Sequence, residues 1–312
     1  MKVQAVLCGM ILLAFIPVLS QGVQTPPSVI GPCWVIDVQD GDSITVRTED
    51  EETIAVRYMA IDAPEKESAF GEEALNRNDE LVGGRSVWLE VNSVNGGYQS
   101  DRDGRVLAYV FLDATCSQSV QQILVSEGLA LIDVRDVVDR DLYPGAFSIR
   151  HSELLIRSQI EAACGRRGLW GDRVPEAGGL IVAAIEFWGE IEAIYLVNAG
   201  DEKIDLAANW ILMDEYAHDK LEKGEGSRNV LEFGRTFGPE CALLPRGVLK
   251  ISTGPGIPEV RRGARAGCGS DEVIFYWFGY KIWDTDGDTA FLYSPDGQLY
   301  FTYQYPWQER GA

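Results

Sequence analysis

Positive charge is what this chain has least of: 27 Lys and Arg stand against 48 Asp and Glu in 312 residues, a net −21 at pH 7. Both halves share the deficit. Nonspecific attraction to a polyanion comes from Lys and Arg neutralising phosphates, so bulk electrostatics exclude a protein that simply coats nucleic acid. Any dealing with phosphate has to rest on local chemistry. Histidine is scarcer still: His151 falls at the start of a helical stretch, His218 in a polar segment read as a loop, and neither has a Cys or His at metal spacing. Both side chains therefore read as structural or exposed. With 46% hydrophobic and 24% charged residues, the composition also excludes disorder as the default state.

The one long apolar stretch is N-terminal. Lys2 is followed by Val6 to Leu19, broken only by Cys8, Gly9 and Pro17, and the run ends at Ser20-Gln21. That is the shape of a secretory signal over residues 1–20, too short for the roughly 20 apolar residues of a span. The expected destination is extracellular or the cell envelope, with no membrane span in the mature chain. Residues 21–31, with Pro26-Pro27, read as a linker. Five cysteines remain beyond the signal, and an exported protein permits disulfides. Cys241 with Cys268 is the expected pair, both lying in the C-terminal half; Cys116 with Cys164 is a weaker expectation, which leaves Cys33 over.

A length of 312 residues predicts two domains. Residues 32–173 alternate apolar and polar at Trp34–Ile36, Ser43–Arg47, Thr53–Ala60, Val87–Val91 and Val106–Leu112, five short strands. Helical periods fall at Gly71–Val82, Ser119–Glu127 and Ser148–Ala163. The fold class this predicts is mainly β: a five-stranded OB-type barrel with three helices, followed by a sandwich. Residues 174–179, rich in Pro and Gly, read as a linker. Across 180–307, seven strand-like runs with closely spaced turns predict an immunoglobulin-like sandwich: Leu180–Glu186, Ala193–Asn198, Trp210–Met213, Val248–Ser252, Val273–Trp277, Ala290–Tyr293 and Tyr300–Tyr305.

Four fragments of the first block carry the chemistry: Asp40-Gly41-Asp42-Ser43, Arg57 to Glu65, Asp101 to Tyr109, and Glu127-Gly128-Leu129-Ala130. Singly, each has a bland reading; Asp-Gly is foremost a hairpin turn. Together they offer more. Carboxylates from two strands can supply oxygens to a hard cation, and two arginines can grip a phosphate bidentately. A further carboxylate is available to activate water. In order, residue types and spacing, Val35 to Trp170 resembles the staphylococcal nuclease family.

The resemblance implies a Ca²⁺-dependent phosphodiesterase acting on DNA or RNA, a single strand being the expected substrate, cleaving at the 5′ oxygen. It implies Asp42 and Asp62 as calcium ligands, helped by the Ala63 carbonyl with Asp40 close by. It also implies Glu65 as general base, and Arg57 and Arg105 as the phosphate-binding and charge-stabilising pair. Departures from the family pattern are Asp103, where an aromatic residue is common, a lysine-free loop at 94–100, and few tyrosines after Ala130 to shape a nucleotide pocket. Tyr58 and Tyr143 are the candidates to replace those tyrosines, and Asp103 is expected to repel substrate unless it turns away.

Residues 178–305 resemble a lamin tail domain at Ala193–Asp201, Ile204-Asp205-Leu206, Trp210-Ile211-Leu212 and Gly287–Tyr293. The resemblance implies a module that binds a surface, a polymer or another protein. Asp284-Thr285-Asp286-Gly287-Asp288 imitates a calcium loop, but an EF-hand requires Gly sixth and Glu twelfth where Thr289 and Pro295 stand, so it reads as a turn. The alternative to an enzyme is a barrel that only binds, in a protein whose role lies in its C-terminal sandwich.

Overall fold

Five strands close into a barrel in the order β1 (Ser28–Val38), β2 (Ser43–Arg47), β3 (Thr53–Tyr58), β5 (Val106–Phe111), β4 (Ser86–Val91), which returns to β1. The computed structural model describes residues 28–94, 96–134, 149–176 and 178–306; the expected signal 1–20, most of the linker 21–31, and Tyr143 lie outside them. Residues 28–31 are strand rather than linker, pairing Ser28 with Val91 and Ile30 with Leu89. Gly31-Pro32 reads in sequence as a break, whereas in the sheet it marks a register shift between Ile30 and Cys33.

Alternation explains the strands. Ile44 and Val46 of β2, and Val87, Leu89 and Val91 of β4, are fully buried. In β5 every residue from Leu107 to Phe111 is buried. An apolar run without alternation is what a strand covered on both faces requires, and the outer cover comes from α2 (Val120–Ser126), which packs on β5. Helix α1 (Gly71–Val82) buries Ala74, Asn78, Leu81 and Val82, one stripe of its surface. Helix α3 (Ser152–Cys164) begins later than the expected Ser148, because His151 takes a left-handed conformation, φ 62°, that a helix cannot contain.

The second body holds a five-stranded sheet in the order β6 (Leu180–Glu186), β7 (Glu192–Asn198), β10 (Val248–Thr253), β12 (Glu272–Tyr276), β11 (Arg265–Ala266). A four-stranded sheet follows the order β9 (Val230–Glu232), β8 (Ile211–Met213), β13 (Asp288–Tyr293), β14 (Leu299–Tyr305). All seven expected strands are present. Helix α4 (Glu215–Glu222) was not expected; Asp214 caps it by accepting the Ala217 N–H at 2.8 Å. His218 therefore sits on a helix and not in a loop, its ring stacked on Phe291 at 3.9 Å. The aspartate run 284–288 is a turn into β13, as expected, with the Asp288 carboxylate accepting the Asp284 N–H.

The two bodies meet at α3, which packs on β6 and β7. Gln159 is fully buried there: its amide donates to the Ala183 carbonyl at 2.7 Å and the Tyr303 hydroxyl at 3.0 Å, and its oxygen accepts the Ile132 N–H at 2.7 Å. Trp170 stacks near Tyr303, and Arg166 donates to the carbonyls of Pro175 and Glu176 within the expected linker. The disulfide joins Cys241 to Cys268. The Cys116–Cys164 expectation fails, both being free along with Cys33. Cys116 lies beside Glu90 and Asp113 in the barrel, whereas Cys164 ends α3 beside Arg246 of the second body.

Candidate active site

Strands β2 and β3 pair with Ser43 opposite Arg57, which brings the Asp40–Asp42 turn beside the start of the 57–65 segment. The turn is fixed from several sides. The Asp42 N–H donates to the Asp40 carboxylate at 2.9 Å, an Asx turn. Asn78 of α1, fully buried, donates to the Asp40 carbonyl at 2.9 Å and accepts from the Tyr58 hydroxyl at 2.8 Å. Gly41 is hemmed in: a β-carbon there would lie 2.6 Å from that of Ala63 and 2.8 Å from that of Ala74.

Asp42, 4% exposed, accepts the Ala63 N–H at 2.6 Å and forms an ion pair with Nη1 of Arg57. The same guanidinium reaches Asp62 through Nη2 at 2.7 Å and donates to the Ile61 carbonyl at 3.1 Å. One cation thus joins the two aspartates expected to share a metal. Burial pushes the Asp42 carboxyl well above the ordinary carboxylate range; Arg57 opposes that shift, and the Asp40 and Asp62 carboxylates add to it.

Arg105, at the entrance to β5, is held by Asp101. The buried Asp101 carboxylate accepts Nε of Arg105 at 2.7 Å and its backbone N–H at 2.8 Å, together with the Asp103 N–H at 3.0 Å. Nη1 of Arg105 donates to the Ser43 hydroxyl at 3.2 Å, and that hydroxyl lies 3.3 Å from Asp42. Arg57 and Arg105 therefore converge on Asp42, Arg57 directly at one carboxylate oxygen and Arg105 through Ser43 at the other. Asp103 does not turn away: its carboxylate stands 3.6 Å from Nη2 of Arg105. Glu65 is exposed beyond Pro64, its backbone carbonyl fixed by Ser68, whose N–H donates at 2.9 Å and hydroxyl at 2.6 Å.

The structure thus brings Asp40, Asp42, Asp62, Ala63, Arg57 and Arg105 together, with Glu65 three residues past Asp62. The donor set suits a hard cation: its ligand atoms are all oxygens, and two carboxylates, Asp40 and Asp62, lie close enough to raise the proton affinity of the buried third, Asp42. Arg57 bridges Asp42 and Asp62, and the three aspartates do not all offer an oxygen within 4.8 Å of one another; among the described residues, His218, Asp219 and Glu222 are so arranged. Tyr58 cannot stack on a base, because it is buried and bonded to Asn78. A groove of about 910 Å³ lies along α1, lined by Ser68, Phe70, Arg77, Glu127 and Arg167 among others, and includes none of the residues of this site. The site chemistry is the better guide to function.

Three contributors have no role assigned from the sequence: Asp101 and Ser43 fall within the fragments singled out there, and Asn78 only within a helical period. Asp-x-Asp-Gly before an arginine is a signal for the first of these, since an aspartate starting such a turn can aim its second oxygen at a following side chain. Nothing local marks Asn78, whose partners lie 20 and 38 residues away.

A closed five-stranded barrel with helices packed on it defines an OB-type fold, here with arginine and aspartate converging at one end. Residues 55–172 match the family described as staphylococcal nuclease homologue. An uncharacterized endonuclease of Escherichia coli is 30% identical over 141 residues, covering 45% of this chain and 78% of that protein. The SPbeta prophage-derived endonuclease YokF of Bacillus subtilis is 40% identical over 99 residues, or 30% of this chain and 31% of its own length. The micrococcal nuclease of Shigella flexneri is 33% identical over 111 residues, 32% of this chain and 60% of that protein. The chain belongs to the staphylococcal nuclease homologue family. It spans only about a third of the Bacillus protein's length.

Proposed function

We propose that this chain is a secreted, Ca²⁺-dependent nuclease that hydrolyses phosphodiester bonds of DNA or RNA. The observation that carries this reading is the single guanidinium of Arg57 reaching both Asp42 and Asp62 while Arg105 reaches Ser43 beside them. Asp42 and Asp62, with Asp40 and the Ala63 carbonyl close by, are the residues that would hold the ion. When bound, calcium supplies positive charge against a phosphate whose own charge repels an incoming nucleophile.

The chain's own groups do the rest. Arg57 and Arg105 offer planar forks of donors to the phosphate oxygens and stabilise the charge that builds as phosphorus becomes five-coordinate. Asp101 keeps the Arg105 fork aimed. Glu65, exposed to solvent, takes the proton from the attacking water or orients it. The extracellular destination rests on the apolar run of residues 1–20 and on the Cys241–Cys268 disulfide, a bond of oxidising compartments. The second body is read as a lamin-tail-like module.

The test is cleavage of single-stranded DNA with Ca²⁺ and with chelator, by the wild-type chain and by Glu65→Gln and Arg105→Ala. Turnover should vanish in chelator. It should fall about 10²–10³-fold without the Arg105 donors and about 10²–10⁴-fold without the Glu65 base. Metal-independent cleavage, or cleavage indifferent to both substitutions, refutes the site; binding without cleavage supports a barrel that only binds.

A further inference from the structure

The second body carries a surface that the nuclease reading does not use. The strip Tyr276 to Tyr280 leaves the end of β12, and the rings of Trp277 and Phe278 stack at 4.8 Å, those of Phe278 and Tyr280 at 4.7 Å. Three arginines from two other loops sit on it. The Arg228 guanidinium lies 4.3 Å from the centre of the Tyr280 ring. Arg261 lies 5.7 Å from the Tyr276 ring and donates to its hydroxyl at 3.4 Å. The guanidinium of Arg262 occupies the space a side chain at position 279 would need, 2.2 Å from where a β-carbon of Gly279 would stand.

None of these three arginines forms an ion pair with a described residue, in a chain with 48 acidic side chains. Positive charge gathers in this loop against the trend of the molecule: between residues 259 and 269, Glu259 is the single acid beside Arg261, Arg262 and Arg265. All of 258–272 is exposed, and Tyr276, Phe278 and Tyr280 are half-buried.

We propose that Arg228, Arg261 and Arg262, with the rings of Tyr276, Phe278 and Tyr280, form a binding surface for single-stranded nucleic acid on the C-terminal sandwich. Guanidiniums suit the phosphates, and a guanidinium laid on a ring, as Arg228 is on Tyr280, presents a planar face on which an unpaired base stacks without regard to sequence. A duplex keeps its bases turned inward and would offer the rings nothing. An acidic peptide or a polyphosphate would use the charges and leave the rings idle. The surface supplies what the barrel lacks, since the barrel's lysine-free 94–100 loop and buried Tyr58 leave little to hold a strand. The inference goes beyond the nuclease reading, and its test does not require cleavage.

The experiment measures fluorescence anisotropy of a labelled oligothymidylate of about 20 nucleotides with the full chain in chelator, so that nothing is cut. Arg261→Glu/Arg262→Glu should weaken binding about tenfold and lower the slope of log affinity against log salt by roughly 1.4, the loss of two phosphate contacts. Tyr280→Leu should weaken binding and leave that slope nearly unchanged, because it removes the ring that holds the Arg228 plane and removes no charge. Thermal melting checks that each variant folds; should the double variant not fold, the exposed single substitution Arg228→Ala decides, with about a threefold loss expected. Binding unmoved by the charge reversals overturns the proposal, and so does inorganic polyphosphate competing as well as unlabelled oligothymidylate.

Discussion

At Arg105 two carboxylates play opposite parts. Asp101 is buried and fixes the guanidinium through Nε; Asp103, 81% exposed at its side chain, stands 3.6 Å from Nη2. Coulomb repulsion between that carboxylate and an incoming phosphate amounts to about 1 kcal/mol in water at such separations. Asp103→Asn should therefore lower KM for single-stranded DNA about fivefold at low salt while kcat stays within about twofold. The gain should shrink in steady-state kinetics at high salt, where exposed charges are screened. Asp101→Asn should act the other way, lowering kcat, because Arg105 then loses the acceptor that sets its direction.

Among the elements, α4 and β13 are joined by acid groups. The Asp288 carboxylate accepts N–H groups from Glu215, Thr289 and Asp284, and burial beside Asp214 raises it to about 7. An unfolded aspartate loses its proton near pH 4. Between about pH 4 and 7 the folded state holds a proton that the unfolded state has released, so stability should fall as pH rises through that range and level off above it. Glu192, fully buried and raised by burial, contributes with the same sign. Asp288→Asn should flatten the dependence in denaturant titrations at a series of pH values, without abolishing it.

Barrel strands β2, β3 and β4, helices α1 and α2, and the seven sandwich strands were legible because their apolar periods are bounded by turns that carry Gly, Asn or Asp, and β5 was legible as an unbroken apolar run. Arg57, Asp42 and Asp62 were legible through the family resemblance, and the short hairpin joining β2 and β3 makes these neighbours in sequence neighbours in space. Helix α4 was missed because Glu215–Glu222 buries only Ala217 and presents no apolar stripe. The arginine-and-ring surface was invisible for a different reason: Arg228 lies about 50 residues from its ring, and no local period records such a contact.

On the scale of the whole molecule, barrel and sandwich are joined through buried polar contacts rather than by a loose tether. Gln159 satisfies groups on both sides at once, the Ile132 N–H of the barrel and the Ala183 carbonyl and Tyr303 hydroxyl of the sandwich. Gln159→Leu keeps the volume but strands those buried groups, at a cost of about 1–3 kcal/mol for each group left without a partner. Calorimetry should then resolve two melting transitions where the wild-type chain gives one. The same joint sets a reach: a strand gripped on the sandwich would be presented to the barrel at a constant offset, so the fragments released would bunch around one length, as with a ruler.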